Sequence, residues 1–238
     1  MKTENSKGRP HWDTWAKVSA RTVFLGLDFG QRPNQQRDCL AVLRFSKTQW
    51  EVAIVHGPDW VRSLQDWMIE PAVRYAVLTM DGCLTKPVVP EYWQRGCEGA
   101  LNVHREVNIN WQGQSFQKVR DLVEQLPLQG PATRILLETH PQSNYPARIR
   151  DSATECDLFV RNAFRNLTGS EVPANFPAAS QPHAQHAIAA ALVSVAYGRF
   201  RSRGVLKDYL ATVIDHDGCF WLLDFASLPQ QRARGGRR

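Results

Sequence analysis

Three short apolar runs in this chain each carry a carboxylate at the end. Thr22-Val-Phe-Leu-Gly-Leu-Asp28 leads into Phe29-Gly30, Tyr75-Ala-Val-Leu-Thr-Met-Asp81 leads into Gly82, and Arg134-Ile-Leu-Leu-Glu138 leads into Thr139-His140-Pro141. Runs this short and this apolar read as buried strands. A carboxylate at the tip of a buried strand is costly unless a cation or hydrogen bonds meet it. Three such tips therefore predict one acidic cluster, and neighbouring carboxylates that stay ionised predict a compensating cation.

The segments between these runs arrange them. Residues 22–28, 39–45 and 50–56 read as strands joined by short polar connections, with Arg32 to Arg37 as a turn-rich linker. Such spacing predicts antiparallel neighbours. Asp59 reads as a helix N-cap, with Trp60, Leu64, Trp67 and Met68 at helical period and Pro71 ending the run. Strand 75–81 follows, then a less regular stretch over 82–114 with a helix expected around Tyr92 to His104. Phe116 to Leu126 reads as a helix, 134–138 as a strand, 152–167 as a helix, and Ala184 to Phe200 as a long helix. Tyr209 to Ile214 and Cys219 to Phe225 read as a hairpin about Asp217-Gly218. The order predicts an α/β fold, a mixed sheet with helices on both faces. The crevice beyond the carboxyl ends of its central strands is then the expected site.

Bulk properties narrow the class. With 238 residues and 43% hydrophobic content the chain can bury one substantial core. The domain reading is a polar arm over 1–20, a single domain over 21–226 and a basic tail over 227–238. Lys plus Arg (29) exceed Asp plus Glu (23), which favours a polyanionic partner. Arg232, Arg234, Arg237 and Arg238 concentrate positive charge in the tail, where phosphate contact and simple solvation are both open. Cys39, Cys83, Cys97, Cys156 and Cys219 show no zinc or redox spacing, so they read as reduced thiols of a cytoplasmic protein. The first twenty residues lack the apolar core of a signal peptide. No apolar run is long enough to span a bilayer, so no membrane partner is expected.

The candidate site gathers Asp28, Asp81 and Glu138 with two histidines. His183 and His186 stand three residues apart at the start of the long helix, a spacing that sets both on one face. Alanines at 184, 187, 189, 190 and 191 let that helix lie close to the sheet. Hard oxygen donors suit Mg2+ or Mn2+, and the imidazoles tilt the choice toward Mn2+. Local alternatives stay open for each: a turn cap for Asp28, an Asp-Gly turn at 81–82, an ion pair of Glu138 with Arg134 or Arg148, and two solvated histidines.

Four segments and one helix then resemble the predicted RNase H-like nuclease family, catalogued as domain of unknown function 429. Gly26-Leu-Asp28 is similar to its opening strand. Leu78-Thr-Met-Asp81-Gly-Cys-Leu-Thr-Lys-Pro87 resembles its Ile-Asp-x-Pro-Leu segment, and Arg95-Gly-Cys97-Glu98 its Arg-x-Cys-Asp element. Leu137-Glu138-Thr-His140-Pro141 is close to its Glu-x-(Tyr/His)-Pro, and His183-Ala-Gln-His186-Ala187 resembles its Asp-x-x-Asp-Ala helix, with histidines in place of both aspartates. The resemblance runs from about residue 22 to 225. It implies an RNase H-like five-stranded sheet of order 3-2-1-4-5 and a metal-dependent nuclease site.

The resulting expectation is a nuclease hydrolysing phosphodiester bonds of DNA or RNA. Asp28, Asp81 and Glu138 would hold Mg2+ or Mn2+, with His183 or His186 as ligand or general base and Lys86 and Arg95 at phosphate. Trp93 and Trp111 are candidates for base stacking. The alternative is a nucleic-acid-binding or complex-forming protein that kept the fold and lost the chemistry. A sugar-kinase-like ATPase is a third class, but the chain lacks the second domain and adenosine loop it needs.

Overall fold

A computed structural model describes residues 15–29, 38–82, 109–126, 132–203, 210–215 and 218–223. In chain order these form α1 (Trp15–Ala20), β1 (Thr22–Asp28), β2 (Cys39–Ser46), β3 (Gln49–His56), α2 (Asp59–Ile69), β4 (Tyr75–Asp81), α3 (Ile109–Gln125) and β5 (Thr133–Thr139). They continue with two 3-10 turns (Pro141–Asn144 and Ala147–Ile149), α4 (Ala153–Thr168), α5 (Pro182–Arg203), β6 (Leu210–Asp215) and β7 (Gly218–Leu223).

β1 to β5 make one mixed sheet in the order β3-β2-β1-β4-β5. β2 is antiparallel to both β1 and β3, while β1, β4 and β5 run parallel. The parallel strands are buried along β1 and β4, as strands covered on both faces must be. β3, at the edge, alternates buried and exposed residues along its first half. β6 and β7 pair antiparallel as a separate two-stranded sheet. Asn144 ties this sheet to the rest by accepting a hydrogen bond from the Leu223 N–H at 2.9 Å.

Each face of the large sheet has its own core. On one side Trp60, Leu64 and Met68 of α2 and Val119 and Leu122 of α3 pack on Leu25, Leu27, Leu78 and Met80. On the other, Val160, Phe164 and Leu167 of α4 and Ala187, Ile188, Ala191 and Val195 of α5 pack with Phe24 and Val77. Strand parity explains the division, since successive side chains leave a strand on opposite faces.

α5 is buried on nearly every side, from Ala184 through Tyr197 except at His186. It lies between the sheet and α4, so an all-round apolar helix is what the position requires. Its alanines meet the one residue of the five-stranded sheet without a side chain. A Cβ at Gly26 would fall 2.8 Å from Ala191 Cα and nearer still to the Ala187 carbonyl oxygen. Further along, Ser194 donates to the Leu25 carbonyl at 3.0 Å and its hydroxyl lies 2.6 Å from that of Thr79. Those buried hydroxyls satisfy each other and fix α5 in register with β1 and β4.

Several boundaries differ from the sequence reading. The last six residues of the expected polar arm form α1, whose Trp15 ring lies 5.9 Å from Phe24; the aromatic core recruits it. Asp59 is the first residue of α2, behind Pro58, and caps nothing; its charge favours the helix N-terminus instead. α3 begins at Ile109, about two turns before the expected Phe116, and includes Trp111. The helix expected around Tyr92 to His104 and the basic tail lie outside the described residues.

Candidate active site

The parallel strands end together, and α5 begins above their carboxyl tips. Asp28 closes β1 and Asp81 closes β4; both face α5, as do Gly26 and Thr79 two residues earlier. His183 Nδ1 lies 2.7 Å from Asp28 Oδ2, and His186 Nδ1 lies 3.5 Å from Asp28 Oδ1. The i,i+3 spacing on a helix places both rings over one carboxylate. Asp28, Asp81, His183 and His186 are thus brought together as the sequence predicted.

Asp28 is buried, with 3% of its side chain exposed. Burial alone would raise its pKa, but hydrogen bonds and charge from His183 and His186 outweigh burial and hold it below the usual carboxylate range. Asp81 behaves oppositely. Burial first, then the charge of Asp28 and a hydrogen bond with it, push the Asp81 carboxyl well above that range. Two carboxylates side by side in a poor dielectric cannot both ionise easily. Of the two, Asp28 is the more readily ionised, and Asp81 holds its proton to higher pH.

Glu138 does not join them. In the β4–β5 register it pairs with Met80, while Thr139 pairs with Asp81. Met80 and Leu27 belong to the core under α2 and α3, so alternation turns the Glu138 side chain toward that face. The expectation that three acidic tips converge is corrected here. β5 extends one residue beyond Glu138, so parity gives the site-facing position to Thr139. Lys86, Arg95, Arg232, Arg234, Arg237 and Arg238, expected at phosphate, lie outside the described residues, as does Trp93.

Three residues not singled out from sequence as site members complete the surroundings. His140 follows Thr139 and is buried; burial, then the charges of His186 and Arg150, push its imidazole down to about 4. It is neutral under ordinary conditions. The Tyr145 ring lies 6.1 Å from that of His186, and its buried hydroxyl finds no hydrogen-bond partner among the described residues. Burial, with Cys156, Asp28 and Asp157 nearby, raises its pKa, so the phenol keeps its proton.

Gln185, between the two histidines, donates to Asp157 Oδ1 and to the Pro177 carbonyl, each at 2.8 Å. Arg161 donates to the other Asp157 oxygen at 2.8 Å and to the same carbonyl at 3.2 Å. This network pins the first turn of α5 to α4, so the imidazoles start from a fixed backbone. His140 stands in the Glu-x-(Tyr/His)-Pro segment, which was a signal; Tyr145 and Gln185 had none.

Cys39, level with Asp28 in the β1–β2 register, is a free thiol raised to about 12 by burial and then by Asp28 and Asp38. It is chemically inert there.

The Mg2+ or Mn2+ implied by the resemblance needs several donors converging on one point. Here Asp28 directs Oδ2 to one imidazole and Oδ1 toward the other, and Glu138 belongs to the opposite face. Among the described residues no group of three or more His, Cys, Asp or Glu side chains stands so as to hold a metal ion. As arranged, the donors do not fit that ion. They form a hydrogen-bonded acid–base cluster instead, with two partly exposed imidazoles above a buried anion. No described helix is long and apolar enough to cross a membrane. No family model, curated protein or solved structure matches this chain.

Proposed function

We propose that this chain cleaves phosphodiester bonds of nucleic acid, as a nuclease on an RNase H-like scaffold in the cytoplasm. One observation carries the reading: a buried Asp28 at a central strand tip, its pKa held low, lies 2.7 Å from His183 and faces His186 at 3.5 Å, beside Asp81, whose carboxyl is raised. An imidazole oriented by a buried carboxylate is apparatus for moving protons, and its place beyond the carboxyl ends of parallel strands is where open α/β sheets act. The scaffold assignment is supported by the strand order β3-β2-β1-β4-β5 with β2 antiparallel. A polyanionic substrate suits the net charge of +6.

In this reading Asp28 fixes the tautomer of the imidazoles and stabilises the positive charge one of them gains. Asp81, the weaker acid of the pair, shares a hydrogen bond with Asp28. Gln185 fixes the first turn of α5 against α4, and Tyr145 packs beside the His186 ring. The divalent cation is the part of the sequence expectation that the donor arrangement does not support, so it becomes a variable of the test. Single-stranded DNA, duplex DNA and RNA are incubated with the purified chain in Mg2+, in Mn2+ and in EDTA. Cleavage of at least one substrate is expected, falling by roughly 100-fold or more in Asp28→Asn. Cleavage equal in wild type and Asp28→Asn refutes the assignment.

The second reading is a nucleic-acid-binding or complex-forming protein without chemistry. The observation favouring it is that the metal ligands do not converge among the described residues. It predicts oligonucleotide binding, by fluorescence anisotropy, that survives Asp28→Asn with no cleavage by either protein.

A further inference from the structure

Asp28 meets both imidazoles at the same ring nitrogen, Nδ1. The carboxylate orients the His183 ring through Nδ1 at 2.7 Å and faces Nδ1 of His186 at 3.5 Å, so in each ring Nε2 is the nitrogen turned away from Asp28. The anion is buried, while the imidazole side chains are 36% and 23% exposed. Two proton-exchanging groups therefore emerge together from one anchored base. In two-metal nuclease sites the ions activate water and stabilise the leaving oxygen; among the described residues the donors here do not converge for that purpose.

Two imidazoles without an ion can still break a phosphodiester if the nucleophile is already in place. RNA supplies one in its ribose 2′-hydroxyl, next to the phosphorus, with the large rate advantage of an intramolecular attack. DNA has no such group.

We infer that His183 and His186 act as general base and general acid in a cation-independent cleavage of RNA, with the 2′-hydroxyl as nucleophile. The inference rests on the phosphodiesterase reading above and narrows its substrate to RNA. His183 is the base: it makes the short contact to Asp28 and is the more exposed. Its Nε2 takes the 2′-hydroxyl proton as the 2′-oxygen bonds to phosphorus. The bond from phosphorus to the 5′-oxygen breaks, and that oxygen receives a proton from the His186 imidazolium. The products are a 2′,3′-cyclic phosphate and a free 5′-hydroxyl. The histidines end with exchanged protonation states, which water restores, and Asp28 balances the imidazolium throughout. Tyr145, packed against the His186 ring, is a positioning residue for the acid.

The test uses the full chain with a uridine-containing RNA dinucleotide and its 2′-deoxy counterpart, both in EDTA. The RNA is expected to yield the 2′,3′-cyclic phosphate while the deoxy compound stays intact. His183→Gln and His186→Gln each lose roughly 100-fold in rate. A uridine 3′-(4-nitrophenyl phosphate), whose leaving group departs without a proton, restores most of the rate to His186→Gln and none to His183→Gln. Each substitution is also made to Asn, so that a variant with wild-type circular dichroism is assayed at both positions. Cleavage that requires Mn2+, or that attacks the deoxy substrate equally, overturns the inference and leaves the nuclease reading standing. No cleavage under any condition by folded wild type overturns both.

Discussion

Replacing Gly26 with alanine tests the feature that sets the site's geometry, the close approach of α5 to β1. An added Cβ would lie 2.8 Å from Ala191 Cα, and closer to two backbone atoms of the same helix, where ordinary contact begins near 3.4 Å. No rotamer relieves this, because the obstacles are backbone. The helix must retreat by roughly 1 Å, and a gap of that size forfeits a quarter to a half of each dispersion contact along the seam. Ala187, Ile188, Ala191 and Val195 lie on that helix and are fully buried. The expected cost is about 3–5 kcal/mol, beyond ordinary overpacking and a large part of a domain's stability. Urea unfolding followed by circular dichroism measures it. The control is Gly57→Ala, where nothing lies within 4 Å but φ is +69°, so left-handed strain alone costs about 1–2 kcal/mol. A Gly26→Ala cost below that of Gly57→Ala would refute the account of how α5 is seated. With it would go the explanation for the histidines reaching Asp28.

Two further predictions concern charge. Asp81 has a raised carboxyl pKa in the folded state, so its contribution is full below the unfolded value and is lost as pH rises through the folded one. Asp81→Asn keeps a donor toward Asp28 and removes that loss, so the variant should be more stable than wild type at pH 7 and no more stable at pH 3; a variant less stable at pH 7 contradicts the assignment of the proton to Asp81. His140 is lowered to about 4, so its contribution is full above the unfolded value near 6.5 and is lost as pH falls toward 4, by roughly 3 kcal/mol. Unfolding midpoints from pH 7 to 4 should fall less steeply in His140→Gln than in wild type, and parallel curves would show that His140 titrates normally.

Composition along the chain determined most of the scaffold. Seven-residue apolar runs at 22–28 and 75–81 have one stable fate, burial between two layers, and both are strands with the expected ends. The alanines of α5 made its close packing on the sheet readable, because only small residues allow it; that Gly26 is the residue they meet came from the structure. The Asp28, Asp81, His183 and His186 cluster followed from strand tips and helical spacing, both of which are local.

Tertiary structure decided which way Glu138 points. Asp28, Asp81 and Glu138 look alike as letters at the end of apolar runs, yet the face a strand residue occupies depends on register against its neighbour. Pairing Glu138 with Met80, not Asp81, sends it to the other core. The burial of His140 and the seat of Tyr145 under His186 likewise depend on chain segments far apart in sequence. Local patterning sets what each segment becomes, because backbone period and side-chain size act over a few residues. The company a charged group keeps is set by strand register and helix seating, and those exist only once the chain has closed on itself.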